Sequence, residues 1–111
     1  MDREFPKVRF IIDPEVGPVD RTDEISMAVK GVFASVKGFY EIRVIRPNDD
    51  AATLAKEARY KGYSGVVVCG GDNKVREASL SLVESDTALG IVPIGERNTI
   101  SDSFEISRDI I

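Results

Sequence analysis

The stretch Val66-Val67-Val68-Cys69-Gly70-Gly71-Asp72-Asn73-Lys74 decides the fold of this chain. An unbroken run of β-branched and other apolar residues is typical of a strand in the middle of a parallel sheet, covered on both faces. The two glycines that follow allow the backbone to turn tightly. A helix is predicted next, from about residue 74 to 83, with apolar residues on one face. Together these features predict a strand, a turn and a helix, half of a βαβ unit.

The same alternation extends in both directions along the chain. Strands are predicted at 7–12, 41–46 and 89–93, and helices at about 21–37 and 50–61. A short final helix is predicted to hold Ile100 and Phe104. Strands that alternate with helices through short connections form a parallel sheet with right-handed crossovers. We therefore predict an α/β fold, a single three-layer Rossmann-like domain over residues 1–111 with about four strands.

Composition restricts the chemistry that this chain can perform. Its 111 residues leave room for one domain, and they include no His and one Cys. A Ser-His-Asp triad, a His-based metal site, an internal disulfide and a cysteine zinc site are therefore ruled out. The sequence alone assigns no residue as a metal ligand.

Charge and hydropathy argue against nucleic-acid binding and against a transmembrane segment or signal peptide. The formal charge is −4, with 15 basic and 19 acidic residues and no basic run, which argues against nucleic-acid binding. No apolar stretch approaches the roughly 20 residues of a transmembrane segment, and the charged start, Met1-Asp2-Arg3-Glu4, does not fit a signal peptide. We expect a cytoplasmic protein.

Ligands of open α/β sheets bind beyond the carboxyl ends of the strands, so the loops there are the candidate site. The loop after the third strand is the most informative, because its helix directs free N–H groups and a positive dipole end at the space that the glycines leave open. Asp72 could hold a metal ion or a polar group, and Lys74 could contact a phosphate. An ordinary turn capped by Asp72 fits the local sequence equally well.

Two motifs together carry a resemblance to a family. Val66 to Asp72, followed by Leu89-Gly90-Ile91-Val92-Pro93-Ile94-Gly95 and then Asn98, resembles the catalytic domain of diacylglycerol kinases and related bacterial lipid kinases. That family carries Gly-Gly-Asp-Gly-Thr after its third strand and Pro-x-Gly-Thr-Gly-Asn after its fourth. The resemblance spans essentially the whole chain and implies the strand order 2-1-3-4. NAD kinases share the first motif but not this form of the second.

The resemblance also implies which residues bind the nucleotide. The first motif maps onto Gly70, Gly71 and Asp72, and the second onto Pro93, Gly95 and Asn98. Asp13 stands where the family usually has Asn before Pro, and Glu77 matches an acidic family position. If the family activity is retained, ATP and Mg²⁺ are the implied cofactors. The nucleotide-binding candidates implied in this way are Gly70, Gly71, Asp72, Asn73, Lys74, Gly95, Asn98 and Asp13.

Several loop residues depart from the family pattern. Asn73 replaces the third glycine of the first motif, and Lys74 replaces its threonine. Glu96 and Arg97 replace the threonine and glycine of the second motif. A carboxylate at Glu96 should repel a polyphosphate unless Arg97 or a divalent cation neutralises it. Family members also have a C-terminal β-rich domain that closes the nucleotide cleft, and the resemblance leads us to expect that this domain is absent from the 111 residues given.

The resemblance implies ATP-dependent phosphoryl transfer to a lipid hydroxyl, such as that of diacylglycerol. Because of the altered loops and the missing second domain, we expect the isolated chain to be inactive or incomplete, with its catalytic residues unassigned. Its expected partners are a nucleotide and a second domain or a second copy of the chain. The alternative hypothesis is a pseudoenzyme, a regulatory or protein-interaction domain that no longer binds nucleotide.

Overall fold

Strands and helices alternate throughout the structure, a computed structural model that describes residues 5–15 and 19–93. The predicted final helix, and with it Ile100 and Phe104, lies outside the described residues. In chain order the elements are β1 (Lys7–Ile12), α1 (Thr22–Phe33), β2 (Phe39–Val44), α2 (Ala51–Tyr60), β3 (Gly65–Gly70), α3 (Asp72–Ser81) and β4 (Ala88–Pro93).

The strands form one four-stranded parallel sheet in the order β2-β1-β3-β4. This order confirms the one that the family resemblance implies, and the alternation of elements confirms the α/β class. Every residue of β3 is buried, as its unbroken apolar sequence predicts for a central strand.

The core consists of two layers, one on each face of the sheet. Alternate side chains of a strand point to opposite faces, so β1 contributes to both layers. On one face Val8, Phe10 and Ile12 pack with Ile25 and Val29 of α1. On the other face, α2 and α3 cover Ile11 of β1 together with Val66 and Val68 of β3. The predicted three-layer arrangement is therefore confirmed, with one described helix on one face and two on the other.

Three of the element boundaries that differ from the sequence-based prediction do so for identifiable reasons. The N–H of Phe39 donates to the carbonyl of Pro6 at 2.8 Å, so β2 begins at residue 39 rather than 41. Helix α1 ends at Phe33, before the predicted residue 37. Residues 34–38 then connect the helix to the early start of β2. Helix α3 begins at Asp72 instead of residue 74, because Gly71 is already in place as its N-cap.

A charged side chain lies at the centre of the sheet. Arg9 in β1 is completely buried. Its Nε donates to Oε1 of Glu41 in β2 at 2.6 Å, and its Nη1 donates to Oε1 of Glu57 in α2 at 2.7 Å and to the carbonyl of Leu54 at 2.9 Å. The Tyr63 ring lies 5.0 Å from the guanidinium carbon, and its hydroxyl donates to the same oxygen of Glu41 at 3.0 Å. These contacts connect β1, β2 and α2.

The three ionised groups stabilise one another in their charged forms. Burial lowers the pKa of Arg9, but its hydrogen bonds to Glu41 and Glu57 outweigh that effect and raise it overall. Burial likewise raises the pKa of Glu41, while the hydrogen bonds from Arg9 and Tyr63 bring it below its ordinary value. The hydrogen bond from Arg9 lowers the pKa of Glu57. Both carboxylates are therefore held ionised in the folded protein.

We expect Arg9→Met to destabilise the protein and to weaken its sensitivity to acid. At pH 7 the free energy of unfolding should fall by about 2 kcal/mol, less than for a fully buried pair, because both carboxylate partners are partly exposed and can rehydrate. Carboxylates whose pKa is lowered in the folded state contribute stability above their unfolded pKa, about 4.3, and that contribution is lost as the pH falls. Urea unfolding of both proteins between pH 3 and 7 measures the two effects.

The matched control is Arg43→Met, which removes a partly exposed arginine that lies 3.5 Å from the same Glu57 oxygen. It should cost less than about 0.5 kcal/mol, as expected for an exposed pair. Equal losses in the two variants, or an unchanged acid dependence in Arg9→Met, would contradict a central role for Arg9.

Candidate functional site

The loops that follow β1, β2 and β3 begin side by side at the carboxyl edge of the sheet. The N–H of Asp13, just after β1, donates to the carbonyl of Cys69 at 3.0 Å. The N–H of Ile45, just after β2, donates to the carbonyl of Ile12 at 2.9 Å. Asp13 is then held in a local turn, because its Oδ1 accepts from the N–H of Glu15 at 3.0 Å. The edge is thus a continuous surface built from consecutive strand ends.

Gly70 lets two of the predicted site residues approach one another. A Cβ placed on Gly70 would lie 3.2 Å from the Cβ of Asp13 and 3.7 Å from the Cβ of Lys74. The first distance is shorter than most real contacts of this kind. A methyl group at Gly70 would therefore require Asp13 to move by a few tenths of an ångström, so glycine favours the close packing at this position.

Among residues 5–15 and 19–93, no side chain caps the start of α3. Gly71 is the N-cap, in an extended conformation with φ −95° and ψ −175°, and no described side chain accepts a hydrogen bond from the first N–H groups of the helix. Asp72 is the first helical residue and is exposed, so the alternative of an ordinary turn capped by Asp72 is wrong. A helix start whose N–H groups lack side-chain acceptors offers both hydrogen-bond donors and a partial positive charge to an anion.

Lys74 and Glu77 link this helix to α2. The Nζ of Lys74 lies 3.8 Å from Oε2 of Glu77, and Oε1 of Glu77 accepts from the N–H of Ala51, the first residue of α2, at 3.3 Å. Asp50 caps α2 by accepting from the N–H of Thr53 at 2.6 Å. That hydrogen bond lowers the pKa of Asp50, and the charge of Lys74 adds to the effect. Lys74 therefore places a positive charge between the starts of two helices.

The structure brings most of the predicted site residues to one edge of the sheet. Asp13 and Lys74 both lie close to Gly70. Gly71 and the exposed side chains of Asp72 and Asn73 complete the start of α3. Gly95 and Asn98 lie outside the described residues, as do Glu96 and Arg97.

Sequence reasoning did not predict the role of Glu77 in joining α2 to α3. The signal available was its match to an acidic position of the resembled family, which gives no information about the Ala51 N–H that it binds. The buried ion cluster around Arg9 was also missed, but it lies in the interior of the sheet and not at this edge.

In residues 5–15 and 19–93, no three or more Asp, Glu or Cys side chains cluster in a way that could hold a metal ion. Within the same ranges, no helix has the length and apolar character needed to cross a membrane.

Residues 7–111 match the family model described as the diacylglycerol kinase catalytic domain. The chain belongs to this family. The matched range includes both glycine-containing motifs and the start of α3. Membership connects the edge described above to a family of lipid kinases, and the resemblance stated from the two motifs is confirmed.

Curated relatives with similar sequences carry lipid kinase names. A protein of Streptococcus pneumoniae serotype 4 named "Putative lipid kinase" is 34% identical over 109 residues, which cover 94% of this chain and 36% of that protein. "Probable lipid kinase YegS" of Escherichia coli is 36% identical over 108 residues, covering 93% of this chain and 34% of that protein.

A solved structure shares the fold. The crystal structure of a diacylglycerol kinase from Bacillus anthracis superposes with a TM-score of 0.65 and 24% identity, over 85% of this chain and 35% of that one. At this identity the likeness shows the fold alone. The chain spans about a third of the length of the relatives that it matches.

We expect Gly70→Ala and Gly31→Ala to change stability in opposite directions. At Gly70 the new methyl group meets Asp13, so the free energy of unfolding should fall by about 1 kcal/mol. At Gly31, inside α1, nothing lies within 4 Å of the new Cβ, so alanine should raise it by about 0.5–1 kcal/mol. Chemical denaturation measures both values, and stabilisation by Gly70→Ala would show that the loop after β1 does not pack against this glycine.

Cys69 should not react in the folded protein, although it directly precedes the glycine pair. Its thiol is buried, and burial raises its pKa to about 12. Because the thiolate is the reactive form, a disulfide reagent at pH 8 should label Cys69 only after denaturant is added. Rapid labelling of the folded protein would instead place the thiol within reach of the α3 helix start and of solvent.

Proposed function

We propose that the carboxyl edge of this sheet binds the phosphates of ATP as part of a lipid kinase. The observation that carries the proposal is the start of α3, whose first N–H groups have no side-chain acceptor in the described part of the chain and follow Gly70 and Gly71 in a member of the diacylglycerol kinase family. The substrate class is a lipid hydroxyl, in keeping with the names of the curated relatives.

The residues at this edge are chemically suited to a phosphate chain. The backbone N–H groups at the start of α3 are hydrogen-bond donors, and Lys74 supplies a full positive charge a short distance along the same helix. Lys74 is half-buried, so its charge is screened less than that of a fully exposed lysine. It can therefore compensate for the threonine hydroxyl that the family motif carries at this position.

Mg²⁺ fits this edge only together with the nucleotide. Magnesium commonly takes one or two carboxylates, with substrate phosphates and water filling its remaining positions. Asp13 and Asp72 are the carboxylates that follow β1 and β3, and we propose them as the ligands. ATP, when bound, supplies the phosphoryl group that is transferred. Asp13 and Asp72 would then keep the metal and the phosphates at the edge, and Gly70 would keep Asp13 close to α3.

We propose that the chain alone binds nucleotide but does not turn it over. Phosphoryl transfer requires an acceptor hydroxyl held in line with the transferred group and cations that stabilise the developing charge. The described residues at this edge contribute donors and carboxylates toward the phosphates, while the chain spans only about a third of its relatives. We infer that the family's second, β-rich domain is the partner that completes the site, and that both work in the cytoplasm, where ATP is available.

The test is a calorimetric titration of the chain with ATP and Mg²⁺, compared with its Gly71→Asp variant. We expect the wild type to bind ATP and the variant to bind it at least about tenfold more weakly. The new carboxylate would accept hydrogen bonds from the first N–H groups of α3 and would repel the phosphates. Aspartate is a favoured N-cap and tolerates the extended backbone of Gly71, so the variant should fold.

Gly31→Asp, which places the same charge on the exposed side of α1, is the matched control and should bind like the wild type. Equal binding by Gly71→Asp and the wild type would move the nucleotide site away from α3. An absence of binding by the wild type at millimolar ATP would overturn the proposal and support a regulatory domain that has lost its nucleotide.

A further inference from the structure

The outer edge of β2 is open within the described part of the chain. There β2 pairs with β1 alone. It also differs from the inner strands in burial, since β3 is wholly buried whereas no residue of β2 is. Phe39 and Tyr40 are 60% and 39% exposed. An edge strand of this kind presents unpaired N–H and C=O groups that can pair with another strand.

The hydrogen bonds to β1 determine which residues face outward. The N–H of Phe39 donates to the carbonyl of Pro6, and the N–H of Ile45 donates to the carbonyl of Ile12. Because backbone groups alternate in direction along a strand, the odd-numbered residues from 39 to 45 bond to β1. The N–H and C=O groups of Tyr40, Ile42 and Val44 therefore point to the open edge.

The sequence of β2 is complementary to itself when the strand is reversed about Ile42. Ile42 then lies opposite Ile42 of the other copy, Tyr40 opposite Val44, and Glu41 opposite Arg43. The outward-facing residues are paired with one another, as the hydrogen-bonded positions of an antiparallel ladder require. The Glu41–Arg43 pairs fall at the non-hydrogen-bonded positions, where opposite side chains come closest.

Neighbouring registers lack this complementarity. A shift by one residue places outward-facing backbone groups opposite groups that already bond to β1. A shift by two residues restores the backbone pattern, but it centres the pair on Glu41 or on Arg43 and places like charges directly opposite one another, which is destabilising. Pairing about Ile42 is thus the register that both the backbone and the charges favour.

The side chains needed for this pairing are in suitable positions. Glu41 and Arg43 lie on the face covered by α2, where Glu41 contacts Arg9 and Arg43 contacts Glu57. Both are only partly buried. Helix α2 packs over β1 and β3, so the Glu41–Arg43 pairs would form beyond it. On the opposite face, Ile42 already borders the core beneath α1 and would extend it to the second copy.

We propose that two copies of this chain associate through the outer edges of β2, antiparallel and with a two-fold axis at Ile42. Their four-stranded sheets would join into one continuous sheet. Both partners use the same surface, so the assembly closes as a dimer and does not grow into a fibre through this edge. The proposal is independent of nucleotide binding, because the pairing leaves the carboxyl edges open, pointing in opposite directions.

The first test is disulfide trapping with Ile42→Cys. Residues that face each other at a hydrogen-bonded antiparallel position have Cα atoms about 5.5 Å apart, within the range that a disulfide spans. Mild oxidation should therefore give a covalent dimer on a non-reducing gel. Lys56→Cys, on the exposed part of α2, should stay monomeric, and the buried Cys69 does not interfere. Equal cross-linking of the two variants would overturn the proposal.

The second test measures dissociation by analytical ultracentrifugation of the unmodified chain and two charge variants. Arg43→Glu turns two favourable cross-strand pairs into two like-charge pairs, so the dimer dissociation constant should rise about tenfold. Lys56→Glu makes the same change in net charge away from the edge and should leave the constant unchanged. Circular dichroism confirms that each variant is folded.

A wild-type chain that stays monomeric at high concentration would overturn the proposal. So would a dimer that both charge variants weaken equally, or one that neither weakens, because the interface would then lie elsewhere on the molecule.

Discussion

The position of one buried charge constrains the arrangement of this domain. Arg9 lies in an inner strand, where burying a guanidinium is costly unless it is paired with carboxylates and hydrogen-bonded. Glu41 is its register neighbour in β2, so the ion pair fits only the observed strand alignment. Glu57 and the Leu54 carbonyl require α2 to lie directly above. A slip of β2 would take Glu41 away from the buried cation, and a different placement of α2 would take away Glu57 and the Leu54 carbonyl. We interpret the cluster as a device for specificity more than for net stability.

The fold was largely predictable, because it follows from local patterns. The apolar run of β3 and its two glycines predicted a central strand and a turn, and the alternation of elements predicted the class. The role of Arg9 was not predictable from local patterns. In sequence it is one charged residue among apolar ones, which resembles an exposed position, and its partners lie 32 and 48 residues away. The early start of β2 escaped prediction for a similar reason, since it depends on a bond between Phe39 and the distant Pro6.

The candidate site was predictable in outline and less so in detail. Parallel strands place their carboxyl ends together, which was sufficient to bring Asp13 to the glycine loop. The structure adds a physical reason for Gly70, the close approach of Asp13, where the sequence suggested only room for a ligand. It also shows that Asp72 does not cap α3. Family membership connects this edge to lipid kinases, and the changed motif residue Lys74 replaces a hydroxyl with a charge at the position where phosphates are proposed to bind.

The hydrogen bond from the Ala51 N–H to Glu77 makes the starts of α2 and α3 differ in their ability to bind an anion. Two of the helices that begin here, α2 and α3, cover the same face of the sheet, and each would by itself attract an anion. At α2 the chain's own carboxylates already occupy that role, since Asp50 accepts from Thr53 and Glu77 accepts from Ala51. At α3 no side chain of the described residues does so. The start of α3 can therefore bind an anion, while the start of α2 is already occupied by carboxylates of the chain. An elongated anion should bind with one of its ends at α3. The carboxylates of Asp50 and Glu77 would thus set the orientation of the bound anion without contacting it.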